Sequence, residues 1–241
     1  MTRPPEKLYL DLLKRVLTRL IFPEIPFDRS HRVNGLDWPV NGETMIGLMR
    51  LDNLDACILS VVEDGVPGDL IETGVWRGGA AIFMRAALEA YGDKDRKVWL
   101  ADSFQGLPKP DPSRTTDVED GLWQFAELAV PVDQVKENFA RYGMLDGRVR
   151  FLPGWFADTL PSAPIEHLAI LRIDGDMYDS TDVALENLYP KLSVGGYVIV
   201  DDYAAVRGCK AAVDDFRARN QIQEEMKVID GSATFWRRTV R

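Results

Sequence analysis

The stretch DLIETGVWRGGAAIFMRAALEAYG, residues 69–92, decides the fold. DLIETGV (69–75) is a short apolar strand that stops at a glycine. GGAAIFMRAALEAYG (78–92) has the composition of a helix and ends on another glycine, a common stop signal. Strand, glycine turn and helix form the first unit of an alternation that continues to the C-terminus. VWLADSF (98–104) reads as a strand, and VPVDQVKENFARYGM (130–144) as a helix. VRFLPGW (149–155) and HLAILRID (167–174) are strands. TDVALENLYPKL (181–192) is a helix with Ser180 or Thr181 as its cap. GGYVIVDD (195–202) is a strand, CKAAVDDFRARNQI (209–222) a helix, and MKVIDGSATFWRR (226–238) two short strands around Asp-Gly, a hairpin signal. Strands alternating with helices predict an α/β fold: a mostly parallel sheet covered on both faces, with the closing hairpin adding an antiparallel edge strand.

Upstream of residue 69 the pattern differs. Leu8, Leu12, Leu13, Val16, Leu17 and Leu20 recur at helical spacing between lysines and arginines, residues 23–42 are rich in turn formers, and TMIGLMRLDNLDACIL (44–59) is helical again. The chain is thus read as an N-terminal helical segment, residues 1–68, followed by one α/β domain, residues 69–241.

The totals narrow the function. The 241 residues are 46% hydrophobic and 10% aromatic, the composition of an ordered globular chain. A formal charge of -9 opposes binding to a phosphate backbone, so nucleic acid is not an expected partner. The two cysteines, Cys57 and Cys209, form no C-x-x-C pair and suggest a reducing, cytoplasmic setting. The two histidines are too few for a histidine-rich zinc site. The first residues lack a signal-peptide core, and no apolar run approaches the roughly 20 residues that span a bilayer.

In such folds ligands bind beyond the carboxyl ends of the strands. The turn ETGVWRGG (72–79) gives the backbone a tight bend and offers the free N–H groups of a helix start. Trp76 occupies the second glycine position of G-x-G-x-x-G, so the dinucleotide fingerprint fails, and no Lys-Ser/Thr follows as in a phosphate loop. The next strand ends in Asp102, an acid able to accept hydrogen bonds from a ribose diol. Glycine turn and acid together describe a nucleoside site. Glu72 and the acidic balance favour an uncharged or cationic nucleoside, and S-adenosylmethionine, a sulfonium without phosphate, is one.

Two further strands finish in acids: RIDGD, with Asp174 and Asp176, and VIVDD, with Asp201 and Asp202. Neighbouring strands lie about 5 Å apart, so Asp174, Asp201 and Asp202 are expected to converge. Bare carboxylates that close together require protons or a cation. Hard oxygen donors without thiolate or imidazole suit Mg²⁺, with Ca²⁺ or Mn²⁺ also possible. The alternative is that these acids cap helices and bond to loops. Asp176, past a glycine, is placed either to take a proton from an alcohol or to support the cluster.

These residues together resemble the macrocin O-methyltransferase family, of the noviose 4-O-methyltransferase type. The resemblance covers roughly residues 40–240 and rests on GETMIGLMRLDNL, IETGVWRGGA, ADSFQGLPKPD, RIDGDMYDST and LYPKLSVGGYVIVDDY, in that order. It implies a Rossmann-like class I methyltransferase with a seven-stranded sheet, S-adenosylmethionine and Mg²⁺ as cofactors, a homodimer or larger assembly, and a sugar hydroxyl of an antibiotic glycoside as acceptor. By position, it implies that Thr44 and Met45 contact the amino-acid end of the donor. Glu72, Thr73, Gly74, Val75 and Trp76 would line its middle. Asp102, Ser103, Phe104, Gln105 and Gly106 would hold the ribose and adenine side, and Trp155 or Phe156 would border the adenine. Asp174, Asp201 and Asp202 match the magnesium ligands, Asp174 also borders the donor, and Asp176 matches the proposed base. The N-terminal segment and LPKPDPSRTTDVEDGLWQF (107–125) would cover the acceptor, with Trp123 and Phe125 stacking on it or simply packing. A catechol or other vicinal diol is the alternative acceptor. A nicotinamide oxidoreductase would need the missing fingerprint and a Tyr/Lys pair, and the intact acid set argues against a non-catalytic binding protein.

Overall fold

The computed structural model describes residues 4–113, 117 and 121–240. Three helices come first: α1 (Pro5–Leu17), α2 (Arg29–Asn34) and α3 (Gly47–Glu63). The alternation then runs β1 (Asp69–Thr73), α4 (Gly79–Ala90), β2 (Val98–Asp102), α5 (Val132–Arg141), β3 (Val149–Pro153), α6 (Phe156–Thr159), β4 (Leu168–Ile173), α7 (Tyr178–Leu188), β5 (Leu192–Val200), α8 (Arg207–Arg219), β6 (Lys227–Val228) and β7 (Thr234–Arg237). The seven strands lie in the order β3-β2-β1-β4-β5-β7-β6. The five strands from β1 to β5 are parallel, and β7 is antiparallel to β5. The hairpin places β6 outside β7, so β6 forms the edge.

Alternate residues of the strands feed two apolar layers. Leu70, Leu100 and Ile199 face a layer closed by α1, α3, α4 and α5, through Leu17, Leu54, Phe83 and Phe139. Ile71, Trp99, Leu171 and Val200 face the layer closed by α7 and α8, through Leu185, Val213 and Phe216. The order reverses between β1 and β4, which makes the space beyond their carboxyl ends the switch-point crevice. Among the described residues no helix is long and apolar enough to cross a membrane.

Several boundaries differ from the sequence reading: α2 forms within residues 23–42, which read as a loop, β5 begins at Leu192 rather than at 195, and two differences lie near the site. The periodic run from Thr44 becomes helix only at Gly47, which holds φ +72° and ends the loop before it. Thr44 and Met45 are thereby kept out of the helix. Neither Ser180 nor Thr181 caps α7, which starts earlier, at Tyr178. The Asp117 carboxylate accepts from the Tyr178 N–H at 3.0 and 3.2 Å, so the cap comes from a distant loop that no local pattern reveals.

Helix α1 is fastened to α3 by a buried charge. The Lys14 ammonium donates to Asp55 at 2.7 Å and to Asp52 at 2.7 Å, while Lys7 and the Tyr91 hydroxyl also donate to Asp55. Burial pushes the Asp55 carboxyl up, but the bonds from Lys14, Lys7 and Tyr91 outweigh it and hold it below the usual range. A depressed carboxyl contributes stability above its unfolded value, about 3.9, and loses it as pH falls through the folded value. Asp55→Asn is therefore expected to cost about 2–3 kcal/mol at pH 7. Urea titrations across pH check this, since the variant also loses part of the wild-type decline on acidification.

Candidate active site

At the switch point two backbone segments touch. Gly74 follows β1 with φ +85°, and a Cβ there would lie 1.6 Å from the Asp174 carbonyl oxygen. Only glycine allows this approach, which sets the glycine turn directly against the end of β4. Asp102, at the end of β2, pins the turn from the other side. Its two carboxylate oxygens accept from the N–H groups of Val75 and Phe104, both at 2.6 Å. Burial pushes its carboxyl up against the pull of those amides.

A cavity of about 430 Å³ opens over this junction. Of the residues expected from sequence, Thr44, Met45, Glu72, Gly74, Val75 and Trp76 line it on the turn side. Asp102, Ser103, Gly106, Trp155 and Phe156 line the strand-two and strand-three side, and Asp174, Asp176, Asp201 and Asp202 the floor. Three expected residues lie outside the wall. Thr73 points to the opposite face of the sheet and is fully buried. Phe104 packs near Phe151, at 6.3 Å between ring centroids. Gln105 is turned to solvent.

One carboxylate oxygen from each of Asp174, Asp176 and Asp202 lies within 4.8 Å of the others. Asp176 reaches this position through φ +55°, a conformation that costs energy for a non-glycine residue. The converging set differs from the expected one by a residue. Asp201 is turned toward two guanidiniums: Arg50 reaches its Oδ2 at 2.5 Å, and Arg172 its Oδ1. The parallel register of β1 and β4 places Glu72 beside Arg172, which donates to Glu72 at 2.8 Å and to Asp174 at 2.7 Å. Arg50 continues the network to Asp230 in the C-terminal hairpin, at 2.7 Å.

The sequence reading missed both arginines. The signal was present for Arg172, a lone charge inside the apolar run LAILRI. Arg50 carried none, since it looks like one more solvated position on a helix. The apolar wall formed by Leu36, Trp38, Leu122 and Leu128 was also missed, hidden in segments that read as polar loops.

The charges do not balance. Burial raises the Asp202 carboxyl well above its ordinary range, and Asp176, Asp174 and Asp201 add to the effect. Burial likewise pushes Glu72 up to about 8 despite Arg172. The Asp202 Oδ2 atom is buried with no hydrogen-bond partner. An orphaned carboxylate oxygen among hard donors fits a small divalent cation, Mg²⁺ above others. Of the expected lid, residues 114–116 and 118–120 lie outside the described residues. Phe125 packs edge-on against Trp38, at 5.3 Å between centroids, and Lys109 lies over Trp123 at 5.4 Å.

The mostly parallel seven-stranded sheet with this crevice is that of a Rossmann-like methyltransferase, a class whose methyl donor is S-adenosylmethionine. The structure of the O-methyltransferase NovP superposes with a TM-score of 0.94 at 50% identity, covering 98% of this chain and 100% of that one. The chain is 54% identical to the 8-demethyl-8-(2,3-dimethoxy-alpha-L-rhamnosyl)-tetracenomycin-C 4'-O-methyltransferase of Streptomyces olivaceus, over 99% of this chain and 95% of that protein. It is 50% identical to the demethyldecarbamoylnovobiocin O-methyltransferase of Streptomyces niveus, over 99% and 96% of the two chains. The profile of the macrocin-O-methyltransferase (TylF) family matches residues 20–238. The chain belongs to that family and is an O-methyltransferase.

Proposed function

We propose that this enzyme transfers the methyl group of S-adenosylmethionine to a sugar hydroxyl of a glycosylated secondary metabolite, with Mg²⁺ at the acid cluster. One observation carries the reading: Asp174, Asp176 and Asp202 converge, with an orphaned oxygen, in the same cavity that the glycine turn and Asp102 line. The relative whose name specifies a rhamnosyl tetracenomycin, and the one named for demethyldecarbamoylnovobiocin, support the acceptor class.

Gly74 to Trp76 and Asp102 would seat the donor, with Thr44 and Met45 at its amino-acid end. Asp174 and Asp202 would hold the cation. Asp201 lines the same floor and joins them on releasing one of its arginines. Bound there, Mg²⁺ supplies a lowered pKa for an alcohol oxygen at the site. Asp176 accepts the hydroxyl proton as the O–CH₃ bond forms and the S–CH₃ bond breaks, leaving neutral S-adenosylhomocysteine. The remaining catalysis is alignment of the acceptor oxygen with the methyl group. The N-terminal segment, residues 1–68, covers this site and takes part in association of copies; exposed Leu8, Leu12 and Phe22 support the latter.

The test is a turnover assay with S-adenosylmethionine, Mg²⁺ and a panel of rhamnosyl and noviosyl glycosides. Metal-dependent methylation of a sugar oxygen, located by NMR of the product, is expected; transfer only to a catechol would replace the acceptor assignment. Asp176→Asn is expected to retain Mn²⁺ and donor binding while kcat falls about 100-fold. A kcat and pH profile equal to wild type would remove Asp176 from proton transfer.

A further inference from the structure

Trp76 and Arg77 stand between the glycines of the donor turn, where a tight turn alone would need neither. Both side chains reach out and hold main chain from opposite walls of the cavity. Arg77 Nη1 donates to the carbonyls of Pro39, at 2.9 Å, and Gly42, at 3.0 Å. Its guanidinium lies over the Trp76 ring, 4.1 Å from the centroid. The Trp76 indole N–H in turn donates to the Glu127 carbonyl at 2.9 Å. The Arg77 carbonyl accepts from Asn138 of α5 at 2.9 Å, so the residue carrying these contacts is itself anchored.

A further bond reinforces the first wall. The Gly79 N–H donates to the Glu43 carbonyl at 2.9 Å, and a Cβ on Gly79 would lie 2.4 Å from that oxygen. The two held segments also line the cavity, and on the reading above they would wall its acceptor side. Residues 36–42 bring Leu36 and Trp38, and residues 122–129 bring Leu122 and Leu128. They meet directly at the Trp38–Phe125 edge contact. Trp76 holds φ +46°, in the left-handed region that side chains rarely adopt. Such strain persists only where surrounding contacts fix it, and here these are the stacked guanidinium and the Glu127 carbonyl.

We propose that Arg77, acting through Trp76, is a positioning residue that couples occupancy of the donor turn to order in the acceptor wall. Filling the turn stiffens Gly74 to Gly78, and the two side chains pass that order to residues 36–42 and 122–129. Because coupling is reciprocal, an ordered wall also strengthens donor binding by the same factor, and the acceptor meets a better-formed site once the donor has bound. The inference rests on the donor assignment made above and adds the residues that link it to the acceptor side.

Hydrogen exchange by mass spectrometry on the full chain, with and without saturating S-adenosylhomocysteine, tests it. In the wild type, S-adenosylhomocysteine is expected to slow exchange about tenfold in both segments, within the usual range of coupling. Arg77→Ala is expected to abolish that ligand-dependent slowing while still binding S-adenosylhomocysteine. Arg77→Lys, with one ammonium for one of the two carbonyls, restores part of it in residues 36–42. Trp76→Phe, which keeps an aromatic ring and loses the indole N–H, retains the response in residues 36–42 and loses it in 122–129. A merely structural contact would lower protection equally with and without the ligand, so the difference between the two states is the informative quantity. A wild-type response in Arg77→Ala overturns the proposal; if that variant does not fold, a wild-type response of residues 122–129 in Trp76→Phe does so. Bound ligand with no slowing in either wild-type segment also overturns it, and no binding to the wild type removes the donor assignment with it.

Discussion

Asp202→Ala is expected to reduce kcat/KM about 1,000-fold, the loss of roughly 4 kcal/mol of the electrostatic help that a bound cation gives a developing alkoxide. Donor affinity should hardly change, because Asp202 lies on the acid floor while the glycine turn and Asp102 form the other side of the cavity. Calorimetry with S-adenosylhomocysteine and a Mn²⁺ titration separate the two effects: the first persists and the second is lost. The same substitution carries a less obvious expectation. Asp202 is a half-buried acid whose Oδ2 is buried and unpartnered, and desolvation together with three neighbouring acids penalises its charge. Removing it relieves that penalty, so the melting temperature in EDTA should stay level or rise. A variant that melts lower in EDTA and still turns over at the wild-type rate would mean that the acid serves the fold, and the cation site would have to be abandoned.

Arg172→Met should be the most damaging single change to stability. The guanidinium is buried in the central strand β4 and is shared by Glu72, Asp174 and Asp201. Methionine fills much of the volume but leaves buried acids without their counter-charge, and breaking a buried ion pair in this way costs about 3–5 kcal/mol. For a chain of this size that corresponds to a fall of about 10 °C in melting temperature. Urea unfolding at pH 7 measures it. Adding Glu72→Gln should recover part of the loss, since a neutral amide needs no guanidinium beside it. A loss below about 1 kcal/mol would show that the acids take up protons at little cost once the arginine is gone.

Much of the fold was legible before any coordinates, for a physical reason. Strand and helix periods are local, and a parallel sheet buried on both faces writes its strands as short apolar runs, as in DLIET and LAILRI. The glycine turn and the acids at strand ends were legible too, because the α/β topology gathers strand ends at one edge. The resemblance to the macrocin family was visible for the same reason: its motifs sit at those ends in a fixed order. The missed cap of α7 shows the limit, since Asp117 lies far from Tyr178 in the chain and no neighbouring residue announces it.

What the amino-acid order determined by itself was the alternation of elements, the glycine turn and the supply of acids beyond the strands. Which way each acid faces was decided only in three dimensions. Asp201 and Asp202 are adjacent in sequence and lie just past β5, yet one turns to Arg50 and Arg172 and the other to Asp174 and Asp176. That division depends on a helix from the N-terminal segment and on the pairing of β1 with β4, contacts that span 151 and 100 residues of chain. Charge pairing over such separations is set by packing, and local sequence carries no record of it.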